Sequence, residues 1–187
     1  MVVWQSYRSA GADGYKSIQG QRYAPSSFPL TDQLPGRSAS IKFGTFAKFL
    51  AKPVTGDVFS LPSADPLTVD GSLRIFDTET TAGDDTYSLP AANWRALGDP
   101  PGSKGYRYRG AGTPSDPCRV ALLRPNIIKA VCKGAGVTLT PPFAGDVGVV
   151  LSFGTTDSYC ARFDPATGRN DAILTRSSRV PAPGACP

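Results

Sequence analysis

Apolar and polar residues alternate along most of this chain in short bursts. Residues 40–52 read SIKFGTFAKFLAK and residues 121–133 read ALLRPNIIKAVCK. In both, apolar positions two apart flank cations, a Gly or a Pro-Asn breaks the run, and the alternation resumes. That is the pattern of a β-hairpin, turning at Gly44 in one case and at Pro125-Asn126 in the other. SLRIFD (72–77), TYSLP (86–90), VGVVLSF (147–153) and SYCARF (158–163) continue the series, separated by turn signals at spacings of about eight to twelve residues. Four Asp-Pro pairs, at Asp65, Asp99, Asp116 and Asp164, fall where strands should stop. No 3.6-residue periodicity intervenes, so βαβ units are excluded and the chain is expected to be all-β, a sandwich or a barrel.

The bursts recur in the same order. Trp4 leads through a Gly/Asp-rich stretch to Gly14-Tyr15-Lys16, and Trp94 leads through a similar one to Gly105-Tyr106-Arg107. The two hairpin blocks align without a gap. VFSLP (58–62) then matches VTLTP (137–141), DGSLRIFDT (70–78) matches DVGVVLSFGT (146–155), and DDTYSL (84–89) matches TDSYCARF (156–163). Blocks repeated in order are the mark of an internal duplication. The expectation is two similar antiparallel β-sandwich units, 1–90 and 91–187, or two halves of one larger sandwich.

Composition sharpens this. Twenty Gly and eighteen Pro, with a single Glu (Glu79), leave no room for long helices. All four cysteines lie in the second unit. A hairpin turning at Pro125 sets Cys118 opposite Cys132, and Cys160 is then left to pin the tail through Cys186. Zinc ligands come as close pairs, which these are not. Two disulfides imply an oxidising compartment: secreted, periplasmic or at the cell surface.

Charge and candidate chemistry change the picture less. The net charge of +5 falls on the second half, but the cations are scattered singly, which argues against nucleic acid as a partner. No stretch is long and apolar enough to span a membrane. The opening MVVWQSYRSAG lacks a basic segment followed by an apolar run, so export requires a leader already removed or a start inside a longer protein. With no histidine, Ser-His-Asp, Cys-His and His-ligated metal sites are excluded, and no phosphate-binding or nucleophile-elbow motif is present. No catalytic residue is expected. Asp77, Glu79, Asp84 and Asp85, in DTETTAGDDT, offer hard oxygens on a Gly-bearing loop and so a candidate calcium site; the alternative is solvated turn residues. Trp94, Tyr106 and Tyr108, together with Trp4, Tyr15 and Tyr23, raise sugar stacking. The alternative is that the tryptophans are core plugs.

From Gly71 onward GSLRIFDT, DDTYSLPAANWRALGDPPGSKGYRYRG, PCRVALLRPNIIKAVCKGAG, GTTDSYCARF and APGACP resemble C-terminal regions of uncharacterised, predicted secreted or cell-surface proteins of Gram-negative bacteria. The resemblance covers about the last two thirds of the chain; it implies an extracellular setting and brings no activity, ligand or site. The function expected is an extracellular structural or adhesive protein. Self-association into a surface array or fibre would be aided by strand donation from the apolar start VVW. A carbohydrate-binding module is the alternative, with glycans as partners.

Overall fold

The computed structural model describes residues 30–80 and 83–186. Within them the chain forms thirteen strands and no α-helix. These are β1 (Leu30–Gln33), β2 (Gly36–Lys42), β3 (Phe46–Ala51), β4 (Gly71–Asp77), β5 (Asp84–Leu89), β6 (Trp94–Ala96), β7 (Tyr106–Tyr108), β8 (Cys118–Arg124), β9 (Ile127–Lys133), β10 (Val147–Phe153), β11 (Asp157–Phe163), β12 (Arg169–Asn170) and β13 (Thr175–Val180). They build a five-stranded sheet in the order β1-β11-β10-β4-β5 and an eight-stranded sheet in the order β12-β13-β2-β3-β9-β8-β7-β6. One hydrophobic cluster lies between the two, as in a β-sandwich.

Both expected hairpins form. Gly44 stands at the tip of β2–β3 with φ +61°, a left-handed conformation that suits glycine. In β8–β9 Arg124 pairs with Ile127, so Pro125-Asn126 is a two-residue turn. Continued evenly, that register would carry Cys118 past Cys132. A bulge at Arg119 takes up one residue and sets the two cysteines opposite each other, where they form a disulfide. The first hairpin also has an irregularity, at Arg37 between Gly36 and Ser38. The second disulfide joins Cys160 on β11 to Cys186 in the tail.

Neither sheet belongs to one half of the sequence. The hairpins meet through β3 and β9, and β4 meets β10. Phe49 pairs with Ala130, its counterpart in the ungapped hairpin alignment, and Arg74 pairs with Val150. The strand orders β2-β3-β9-β8 and β5-β4-β10-β11 therefore read the same from either end once equivalent strands are exchanged.

Alternation decides what is buried. Ala39, Ala47, Ala51, Ala121 and Ala130 line the inner face of the eight-stranded sheet beside Ile41, Phe49, Leu123 and Ile128. Small residues there admit bulky ones from the other sheet, including Phe153, Tyr159 and Phe163. Trp94 is fully buried, with its ring centroid 5.4 Å from Tyr108 and 5.2 Å from Phe153 of the opposite sheet. Its indole N–H donates to the Leu89 carbonyl at 3.1 Å.

Two aspartates at aligned positions fasten loops. Asp85 opens the Asp-Thr-Tyr of β5 and Asp157 the Asp-Ser-Tyr of β11, and both are buried. The Asp85 carboxylate accepts from the backbone N–H groups of Thr138 (2.8 Å) and Leu139 (3.2 Å), and from the hydroxyls of Thr138 and Tyr87. Asp157 accepts from Ala64 N–H at 2.7 Å and Ser63 Oγ at 2.8 Å, while Tyr159 donates to the Ser60 carbonyl. Each aspartate thus holds the segment that follows the other half's hairpin.

The same burial governs alkaline stability. Burial first, then the hydrogen bond and charge of Asp85, push the Tyr87 hydroxyl far above its ordinary value. Burial, then the charges of Asp32 and Asp157, do the same for Tyr159. A raised folded-state value means that the stability is complete below the unfolded value near 10 and is lost as pH climbs past it. We expect the urea midpoint to fall steadily above about pH 10, with the phenolate absorbance of Tyr87 and Tyr159 appearing only with unfolding. Their titration in a chain still folded by circular dichroism would contradict this.

Candidate functional site: a cationic sheet face

The strands of the eight-stranded sheet carry twelve Lys and Arg residues and no Asp or Glu. The five-stranded sheet carries Arg74 and Arg162 against Asp32, Asp77, Asp84, Asp85 and Asp157. Charge is therefore sorted by sheet and not by half of the chain.

Strand parity aims eight of the twelve outward. Ala39, Ile41, Ala47, Phe49, Ile128, Ala130, Ala121, Leu123, Trp94 and Tyr108 point into the core. Their neighbours Lys42, Lys48, Lys129, Lys133, Arg124, Arg107 and Arg95 must then face out, and so must Arg176, between buried Thr175 and Ser177. The register sets Arg176, Ser40, Lys48 and Val131 in one row across the sheet. The adjacent row runs Ser38, Leu50, Lys129, Leu122, Arg107 and Arg95.

These cations lack carboxylate partners because the carboxylates are used elsewhere. The ion pairs among the described residues are Arg74–Asp84, Arg162–Asp146 and Arg169–Asp171, and none includes one of the eight. Asp32, Asp65, Asp70, Asp116, Asp164 and Asp171 accept backbone N–H groups in loops and turns, as Asp77, Asp85 and Asp157 also do. A short carboxylate reaches adjacent backbone donors, which accounts for the excess of Asp over Glu. Arg95 and Arg107 stand directly opposite each other on adjacent strands, a like-charge pairing that a bound anion would relieve.

One shallow depression opens on this face, with a volume of about 330 Å³. Ser38, Ser40, Phe46, Lys48, Leu174 and Arg176 line it. The Lys48 ammonium lies 5.1 Å from the centroid of the Phe46 ring. Hydroxyls, an aromatic face and two cations are thus gathered in one hollow.

The sequence's own candidates fall elsewhere. Trp94 and Tyr108 are fully buried and offer no platform to a sugar, and Tyr106 packs partly against the core; β6 and β7 turn their aromatic side inward and Arg95 and Arg107 outward. Trp4, Tyr15 and Tyr23 lie outside the described residues, as does the VVW start. The four acids of the calcium proposal have separate duties. Asp84 forms an ion pair with Arg74 at 2.6 Å, and the hydrogen bond from that guanidinium holds its carboxyl below the ordinary value. Asp85 is the loop latch described above. Burial pushes the Asp77 carboxyl up, but hydrogen bonds from Glu79, Ala144 and Gly145 N–H and from the Thr80 hydroxyl outweigh it and leave the group below its ordinary value. Asp77, Glu79 and Asp84 do border a depression of about 250 Å³, but Arg74 borders it too. Among the described residues no three His, Cys, Asp or Glu side chains are placed to hold a metal ion.

Comparison of the chain with protein-family models, with curated proteins and with solved structures finds no match in any of the three.

Proposed function

We propose that this protein is an extracellular adhesive module that attaches to a polyanionic surface through the outer face of its eight-stranded sheet. The observation that carries the reading is the sorting of charge: twelve cations and no carboxylate in one sheet, with eight of the cations outward-facing and without ion pairs among the described residues. An unneutralised field of one sign over a broad face raises the local concentration of the opposite charge. Two disulfides support a setting outside the reducing cytosol. Descent of the two halves from a doubled β segment is part of the proposal, supported by the matched blocks and by the exchangeable strand order.

A fibre made by strand exchange draws less support. Among the described residues the edge strands β12, β6 and β1 have two, three and four residues. Asp85 on the remaining edge strand, β5, is latched to residues 138–139. Short or covered edges resist pairing with another chain.

The test is binding of the whole chain to a panel of polyanions at low salt: inorganic polyphosphate, dextran sulfate, duplex DNA and anionic vesicles. We expect binding that weakens with salt, and a logarithmic salt slope that drops by roughly one for each of Lys48, Lys129 and Arg107 changed to Gln. Arg74→Gln, on the other sheet, should change nothing. No binding to any member of the panel would remove the reading.

A further inference from the structure

We infer that the cationic face takes a linear acidic polysaccharide, with one anionic sugar seated in the hollow among Ser38, Ser40, Phe46, Lys48 and Arg176 and the polymer continuing over Lys129, Arg107 and Arg95. The inference rests on the reading of this face as a polyanion-binding surface and supplies the ligand class.

Three features carry it. The first is the chemistry of the hollow. A pyranose has an apolar C–H face, a rim of hydroxyls and, in an acidic sugar, a carboxylate or sulfate. Phe46 supplies an apolar surface, Ser38 and Ser40 supply hydroxyls, and Lys48 and Arg176 supply the countercharge. Arg176 and Lys48 pair with Ser40 from its two sides, so one serine stands between two cations. The volume of about 330 Å³ is at the small end for a ligand site and suits a single sugar unit.

The second is the spacing. Arg176 and Lys48 are two strand gaps apart, as are Lys129 and Arg107, which is about 10 Å in each case. Lys48 and Lys129 are diagonal neighbours across β3 and β9, about 7–8 Å apart. A polymer with charges at intervals of that order can meet each cation. Duplex DNA, with one charge per about 1.7 Å of axis, would leave most of its phosphates unmatched.

The third is the shape. Among the described residues the face is a sheet with no helix or ribbon to enter a nucleic-acid groove, and Phe46 is the one aromatic side chain in its outward rows, too few for successive base stacking. Leu50, Leu122, Val120 and Val131 lie half-buried between the cations, and the more exposed Phe43 and Ile173 stand apart in turns at the sheet's ends. Aliphatic patches between charges suit the alternating C–H faces and anionic groups of an acidic glycan.

The experiment is calorimetric titration of the whole chain at physiological ionic strength. The probes are oligogalacturonate, its neutral methyl ester, a sulfated galactan, duplex DNA and vesicles rich in phosphatidylglycerol. We expect at least one of the two acidic glycans to bind more tightly than DNA or vesicles, and the neutral ester not to bind. Phe46→Ala should weaken glycan binding about three- to tenfold with the salt slope unchanged. Arg176→Gln should weaken it as well, and it provides a reading free of packing effects, since that side chain is exposed and makes no ion pair among the described residues. DNA or vesicles bound as tightly as the acidic glycans, or glycan binding indifferent to both substitutions, would overturn the inference and leave the polyanion face standing. A neutral ester bound as well as the acid would overturn both.

Discussion

Asp85→Ala is expected to destabilise the protein by about 3–5 kcal/mol, whereas Asp84→Ala, one residue away, should cost less than ~1 kcal/mol. The two carboxylates look alike in the sequence and differ in what they hold. Asp85 is 7% exposed and accepts four hydrogen bonds, two of them from the backbone of residues 138 and 139. Its removal leaves the buried Leu139 N–H and Tyr87 hydroxyl without an acceptor, while the exposed Thr138 can turn to water, and each buried unsatisfied group costs about 1–3 kcal/mol. Asp84 faces solvent and pairs with an Arg74 side chain that is itself 48% exposed. Coulombic gain there is screened, and the entropy of ordering two side chains offsets much of it. For a domain of this size the Asp85 change should lower the melting temperature by about 10 °C. Urea titration of both variants beside the parent chain makes the comparison. Equal shifts would show that the latch is not a structural element.

Removal of either disulfide should cost about 3 kcal/mol, but with different structural consequences. The Cys118–Cys132 bond closes a loop of 14 residues inside a hairpin that is already paired along β8 and β9. A Cys118→Ser/Cys132→Ser variant should therefore unfold earlier yet keep the amide protection of both strands while folded. The Cys160–Cys186 bond spans 26 residues and anchors a tail that otherwise makes one hydrogen bond among the described residues, from the Gln33 side chain to the Gly184 carbonyl at 3.1 Å. A Cys160→Ser/Cys186→Ser variant should expose the end after residue 180 to proteolysis, with the amide protection of β11 and β10 left intact. Limited proteolysis beside hydrogen exchange of the strands distinguishes the two. A tail that resists proteolysis without its sulfur bond would mean that packing, not the disulfide, retains it.

The aromatic residues show how a correct local reading can point to the wrong surface. Alternation in GYRYRG (105–110) places Tyr106 and Tyr108 on one side and Arg107 and Arg109 on the other, and the first three of these follow that rule in β7. Alternation cannot say which side faces the core. Trp94 and Phe153 settled it by drawing Tyr108 inward, because a large ring buried on both faces recovers more apolar area than one left in water. Arg107 and Arg95 are then the outward chemistry. Gly105 could be read as part of the Gly-Tyr-cation repeat, but its reason is spatial. At φ +95° its Cα approaches so closely that a Cβ would lie 2.0 Å from the Leu123 carbonyl of β8.

What the sequence determined by itself was local. The all-β class and both hairpins follow from short-range alternation and turn residues, and the second hairpin brings Cys118 within one residue of facing Cys132. These depend on neighbours within about fourteen positions, and the bulge at Arg119 supplies the last residue of register. The partners of each hairpin were decided by the tertiary structure. Because β3 pairs with β9, Lys48 from the first half comes beside Lys129 from the second, and β13, β7 and β6 add Arg176, Arg107 and Arg95 to the same face. A count along the chain places the excess charge in the second half; pairing between distant strands gathers it on one sheet. Sequence order fixes which charges exist and which way each points relative to its neighbours, while long-range strand pairing, driven by burial of a common core, decides which of them share a surface.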